Sequence, residues 1–141
     1  MVQEVSYGGV ALRAGSPEGP PDVVVIRPRG RTILALPKGG AAPGEDGAAA
    51  AAREVREETG LTVAVREPLG DVSYSYRRRG REIRKTVHFW LCDYVEGDVA
   101  DHDHEVEEAL WLPLPDAARR LAYPGERKLL ERALSRHAPD R

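Results

Sequence analysis

Residues 39 to 61 read Gly-Gly-Ala-Ala-Pro-Gly-Glu-Asp-Gly-Ala-Ala-Ala-Ala-Ala-Arg-Glu-Val-Arg-Glu-Glu-Thr-Gly-Leu. Gly39, Gly40, Pro43 and Gly44 predict an irregular loop, because glycine reaches backbone angles closed to other residues and proline cannot extend a ladder. Asp46 is placed to cap a helix by accepting a hydrogen bond from a free backbone N–H. The run Ala48 to Ala52 is the strongest helix former available, and its small side chains let that face approach a sheet closely. Gly60 is a natural left-handed stop. Within the helix, Glu54, Glu57 and Glu58 fall inside about 100° of arc. Like charges at these spacings repel by about 0.2–0.5 kcal/mol per pair. A hard divalent cation reverses the sign of that interaction, since Mg²⁺ favours carboxylate oxygens together with bound phosphates. Arg53 lies one turn before Glu57 and is placed to orient its carboxylate. The plain alternative is a solvated acidic face with Arg53 and Arg56 as ion-pair partners. The preceding Gly-rich loop and the fixed spacing favour the metal-binding reading.

The chain has 141 residues, 31% of them charged and 41% hydrophobic, which is enough to bury a core within one domain spanning residues 1–141. Its formal net charge of −2 argues against bulk binding of polymeric nucleic acid or membrane through charge. The single cysteine, Cys92, rules out an intrachain disulfide and a cysteine-based zinc site, and it reads as a small buried hydrophobe. There is no long apolar run and no N-terminal signal pattern, so the expected location is cytoplasmic.

The spacing Gly39, five residues, Glu45, seven residues, then Arg53-Glu54-Val55-x-Glu57-Glu58-x-Gly60-Leu61 resembles the Nudix box with every specified position filled. The resemblance implies an α/β fold, an α/β/α sandwich with a mixed β-sheet that presents the box as loop–helix–loop. It implies a hydrolase that splits a diphosphate linkage in a nucleoside diphosphate carrying some other group. Its cofactor would be Mg²⁺, with Mn²⁺ as the alternative, held by Glu54, Glu57, Glu58 and the backbone carbonyl of Lys38. Gly39 and Gly60 would be structural positions of the box. Glu45 would brace the loop and Arg53 would orient a ligand carboxylate. Such enzymes often bring one further carboxylate from an acidic loop. In the subgroup resembled here it lies about six residues before a tryptophan, which points from Trp111 to Glu105, with Glu107 and Glu108 as competitors. Glu57 and Glu105 both stand as candidates for the general base.

Pro37-Lys38-Gly39 resembles the dinucleoside polyphosphate and diphosphoinositol polyphosphate hydrolases, whereas the MutT type commonly has Pro-Gly-Gly there. The chain departs from many dinucleoside polyphosphate enzymes in carrying Gly40 where they have histidine. The expected substrate is a small-molecule nucleotide, foremost a dinucleoside polyphosphate such as diadenosine tetraphosphate. Alternatives are an oxidised or canonical nucleoside triphosphate and a diphosphoinositol polyphosphate. A non-catalytic nucleotide sensor is the alternative of another class, and such proteins usually lose box glutamates that are all present here. The protein is expected to act as a monomer or homodimer.

The remaining chain is read in order. Residues 3–14 predict a strand and Val23–Ile26 a β-branched strand buried on both faces. Arg27, Arg29 and Arg31 form a basic turn, solvated in the plain reading, with Arg27 the candidate phosphate contact. Ile33–Leu36 predicts a short strand leading into the box. Leu61–Val65 and Gly70–Tyr76 predict strands broken near Pro68, with a return strand over Lys85–Tyr94. Between them Arg77, Arg78, Arg79 and Arg81 form a basic hairpin tip that keeps the hairpin soluble. Lys85, nearest the core, is the candidate phosphate contact there. His88 reads as a satisfied sheet histidine. Asp98 to Glu108 predicts an acidic loop and Ala109–Leu112 a short strand. Pro115 opens a helix with Ala118, Leu121 and Ala122 spaced for burial. Pro124 opens a last helix to about His137, with Leu129, Leu130, Ala133 and Leu134 inward. Tyr123, between these helices, is a candidate for stacking on a base, with core packing as the alternative.

Overall fold

Val23, Val24, Val25 and Ile26 are all nearly sealed from solvent: Val23 and Val25 enter one hydrophobic core, Val24 a second and Ile26 a smaller third. A strand with no polar face must lie between two layers, and the computed structural model, which describes residues 2–137, has that architecture. Its elements are β1 (Val2–Arg13), β2 (Asp22–Pro28), β3 (Lys38–Gly39), α1 (Gly47–Thr59), β4 (Leu61–Arg78), β5 (Arg81–Gly97), a 3₁₀ turn (Val99–Asp101), β6 (Val106–Pro113), α2 (Leu114–Arg120) and α3 (Pro124–His137). The six-stranded sheet runs β4-β5-β1-β2-β6, with β3 added to β1. It is mixed, because β1 pairs in parallel with β5 while the other pairs are antiparallel.

One face of the sheet packs Val55 of α1 against Ala11, Val24, Leu61 and Cys92. The other packs Val10, Val25, Phe89 and Leu91 against Leu114 and Ala117 of α2 and Leu129, Leu130 and Ala133 of α3. The expected α/β/α sandwich is therefore present. The closeness of α1 to the sheet rests on glycine: a Cβ at Gly9 of β1 would stand 2.7 Å from Val55 Cγ2. Cys92 is buried, and that burial pushes its thiol up to about 12, so it is an inert core residue.

Several sequence expectations are corrected. Ile33–Leu36 is not a strand; only Ala35 bridges Ile26, and the short strand falls one step later, at Lys38–Gly39. The two strands expected between Leu61 and Tyr76 are one strand, β4, which takes up Pro68 with register shifts at Val65/Glu67 and Pro68/Gly70. Bulges let a strand carry proline without ending. The return strand starts earlier, at Arg81, and runs to Gly97. Glu107 and Glu108 belong to β6, not to the acidic loop. Ala122 is exposed because α2 ends at Arg120 and leaves it in the link to α3, and Leu134 lies off the buried stripe of α3 with 38% exposure.

Candidate active site

The box folds as its local chemistry dictates. The Asp46 side chain accepts from Ala49 N–H at 2.8 Å and starts α1. Gly60, at φ +82°, ends it by donating its N–H to Arg56 C=O. Thr59, fully buried, donates to Val55 C=O at 2.6 Å and accepts from Leu61 N–H, so the polar end of the helix enters the core with its hydrogen bonds made.

Arg53 ties the loop to the helix. It grips both Glu45 oxygens at 2.9 Å and donates to Gly40 C=O at 2.7 Å. Its remaining nitrogen donates to Glu54 at 3.2 Å and Glu57 at 3.0 Å. Glu45 also accepts from Ala42 N–H. The Arg53 hydrogen bonds, and then that N–H, hold the Glu45 carboxyl down at about 2. Arg53 thus ties Glu45 and the Gly40 carbonyl of the loop to Glu54 and Glu57 of α1.

Gly39 is required by contact. A Cβ there would lie 2.1–2.3 Å from the Glu54 carboxylate. That carboxylate is pushed up by burial, with Glu57 and Glu105 adding repulsion against the pull of Arg53. Glu58 accepts from Lys38 N–H at 3.0 Å. Burial drives Glu58 up to about 7, with the nearby charges of Glu54 and Asp103 adding to the effect. Glu57 is the accessible member, its side chain 48% exposed against 13% for Glu54. Glu105 is exposed in the loop before β6, close enough to be felt by Glu54. The loop is docked by Asp103 N–H on Glu57 C=O at 2.9 Å, by Arg29 N–H on Glu105 C=O at 3.1 Å, and by the Arg29 guanidinium on His104 C=O. Of the competitors, Glu108 is taken by Arg27.

Among the described residues, no three acidic, His or Cys side chains form a closed metal cage. Arg53 spans Glu54 and Glu57 instead. The residue types still suit a hard divalent cation: Glu54 and Glu58, both raised by burial and by the repulsion of neighbouring carboxylates, stand beside the Lys38–Gly39 backbone. Mg²⁺ is typically bound by one or two carboxylates plus substrate phosphates, not by an all-protein cage.

On the other side of Lys38 lies a cavity of about 510 Å³, lined by Lys38, Tyr74, Val87, Phe89, Tyr123 and Glu126 among others. Tyr123 borders this cavity, and its hydroxyl receives a hydrogen bond from Arg31 at 3.1 Å. Lys85 stands on β5 opposite Tyr74 of β4. Burial, and then the Lys38 charge, lowers its ammonium below the usual lysine value; Lys85 itself is not among the residues lining the cavity. Arg27 is not brought to this cavity, since its guanidinium pairs with Glu108 across β2 and β6. Tyr74 and Glu126 are not functional candidates in the sequence, and Arg31 stands there only as one of three arginines in a basic turn. Tyr74 and Lys85 do share one face of a predicted hairpin, and that was the one available signal.

Comparison with known proteins agrees with this geometry. The model of the NUDIX domain matches residues 6–133. The chain is 39% identical over 136 residues to a putative mutator protein MutT4 of Mycobacterium tuberculosis, covering 92% of this chain and 54% of that protein. It is 38% identical over 130 residues to an 8-oxo-(d)GTP phosphatase of Mycolicibacterium smegmatis, covering 92% of this chain and 38% of that protein. It thus spans about half, or less, of these relatives. The crystal structure of a Caenorhabditis elegans Ap4A hydrolase binary complex superposes with a TM-score of 0.77 at 26% identity, covering 98% of both chains. With a complete box on α1, a six-stranded mixed sheet between helical layers and a domain match over nearly all its length, the chain belongs to the Nudix hydrolase family.

Proposed function

We propose that this chain is a divalent-metal-dependent hydrolase that cleaves a diphosphate linkage in a nucleotide, foremost a dinucleoside polyphosphate such as diadenosine tetraphosphate. One observation carries the reading: Lys38 joins the carboxylate helix to the tyrosine-lined cavity, so a base in the cavity would have its phosphates led toward Glu54, Glu57 and Glu58. The similarity to an Ap4A hydrolase structure supports this substrate class.

Tyr74 and Tyr123 would hold the base, giving stacking without base-specific hydrogen bonds. Lys85 and Lys38 would meet phosphate oxygens. Glu54, Glu57, Glu58 and the Lys38 carbonyl would hold Mg²⁺ or Mn²⁺, and Glu105 is the further candidate ligand. When bound, the metal would neutralise phosphate charge and make an attacking water more acidic. Glu57 or Glu105, both exposed, would take the proton from that water, and Arg53 keeps Glu57 oriented from one turn away. A second reading, hydrolysis of an oxidised or canonical nucleoside triphosphate, is favoured by the names of the two mycobacterial relatives.

The test is a Mg²⁺-dependent activity panel with product identification, using diadenosine tetraphosphate, 8-oxo-dGTP, canonical triphosphates, ADP-ribose and a diphosphoinositol polyphosphate. ATP plus AMP from the first, abolished by chelator, is the expected outcome. Monophosphate plus pyrophosphate from a triphosphate would move the assignment to the second reading. Nucleotide binding without turnover anywhere would overturn the enzyme reading in favour of a nucleotide sensor.

A further inference from the structure

Glu126, in the first turn of α3, is 2% exposed, and the mechanism above does not use it. Its Oε1 accepts the Leu36 N–H at 3.0 Å, across 90 residues of chain. Leu36 N–H is the hydrogen-bond partner found for this carboxyl among the described residues, and since no sealed polar atom is left unpaired there, the second oxygen keeps some access to solvent. Glu126 is one of the residues that line the tyrosine cavity. Burial drives the group up to about 7, with the Leu36 N–H and the Lys38 charge opposing. Two residues further along the same backbone, Lys38 N–H is held by Glu58. Pro37 between them has no N–H to give. The segment Leu36–Pro37–Lys38 is thus pinned at both ends by carboxyls, the buried Glu126 from the cavity side and the half-buried Glu58 from the carboxylate helix.

We propose that Glu126 is a positioning residue: by holding Leu36 N–H it sets where the Lys38 backbone stands, and so couples the nucleoside cavity to the metal-binding carboxylates. The proposal rests on the reading of the Lys38 carbonyl and Glu58 as metal ligands. An occupant donating a hydrogen bond to the second Glu126 oxygen would act on the metal side through this strap. By linkage, the metal would act back on the cavity.

The experiment is Mn²⁺ binding by isothermal titration calorimetry to the wild type, Glu126→Leu and Glu126→Gln, with folding checked by thermal unfolding. Glutamine keeps an acceptor for Leu36 N–H, and leucine removes it. Glu126→Leu is expected to weaken Mn²⁺ binding by about 10-fold or more, the usual effect of losing a residue that orients a ligand, with Glu126→Gln within about twofold of the wild type. kcat should fall in parallel for the leucine variant. A folded Glu126→Leu protein with wild-type Mn²⁺ affinity would overturn the proposal. A wild type that binds no Mn²⁺ would overturn the metal-site reading itself. Should the leucine variant fail to fold, Mg²⁺ titration of the wild type by ¹⁵N NMR decides the matter. The Leu36 and Lys38 amides should shift with one apparent Kd, and a Leu36 amide that stays still counts against the coupling.

Discussion

Arg53 donates to four groups, and three of them are carboxylates. Removing one charge from that set does little to the fold, because an exposed i,i+4 ion pair contributes about 0.3–0.5 kcal/mol. Glu57→Gln is therefore expected to keep its unfolding temperature within a few degrees while kcat falls by about 10²-fold or more, the range for losing an acid–base group. Steady-state kinetics and thermal unfolding on one preparation check both halves, and a fully active variant would remove Glu57 from the site. Glu126 gives a different signature. Its ordinary value of 4.5 is raised to about 7 in the folded chain. Between these values the native state binds more protons than the unfolded one, so stability falls as pH rises through that window. The loss is complete above the folded value and is on the order of 3 kcal/mol. Glu126→Gln should make metal-free stability fall less steeply between pH 5 and 8, as read by urea unfolding. Glu58 contributes with the same sign, so the slope is reduced and not abolished. Glu45 runs the other way: its stabilisation is present above 4.5 and is lost only as pH falls through about 2.

The box helix separates fold from function. Its cap is a folding device, and Asp46→Ala should cost about 1 kcal/mol with kcat unchanged, as for caps elsewhere. Gly39 is the reverse case. A methyl group there meets the Glu54 carboxylate at 2.1–2.3 Å and must displace it. A shift of about 1 Å in a catalytic array is enough to lose about 10²-fold in rate, so Gly39→Ala should be a well-folded protein with severely reduced kcat. Circular dichroism and kinetics together distinguish this from simple unfolding.

For the molecule as a whole, the cavity is assembled from distant pieces: β4 and β5 supply Tyr74 and Phe89, β3 supplies Lys38, and the turn before α3 supplies Tyr123, whose hydroxyl is held by Arg31. Tyr123→Ala removes one wall and the partner of Arg31, and is expected to raise KM for a nucleotide by about 10-fold, the lower part of the range for a lost stacking contact with a base. Hydrolysis of inorganic tripolyphosphate, which has no base, should be unaffected. Equal losses on both substrates would place the base elsewhere.

What the sequence by itself determined lies within a few residues of itself. The Asp46 cap, the Gly60 stop, the carboxylate face at i, i+3 and i+4, and the two-sided burial of Val23–Ile26 follow from local periodicity and hydrogen bonding. The box was legible for that reason, and the sandwich followed from what the resemblance of the box to the Nudix family implies. The pairing of Leu36 with Glu126, of Arg31 with Tyr123, and of Arg27 with Glu108 spans 81 to 92 residues. Only the tertiary structure decided these, because strand order and register choose which distant side chains meet. Local pattern carries no record of that choice. The same cause explains why Arg27 seemed as good a phosphate contact as Arg31: three alternate arginines in one turn look alike until β6 claims the first and Tyr123 the last.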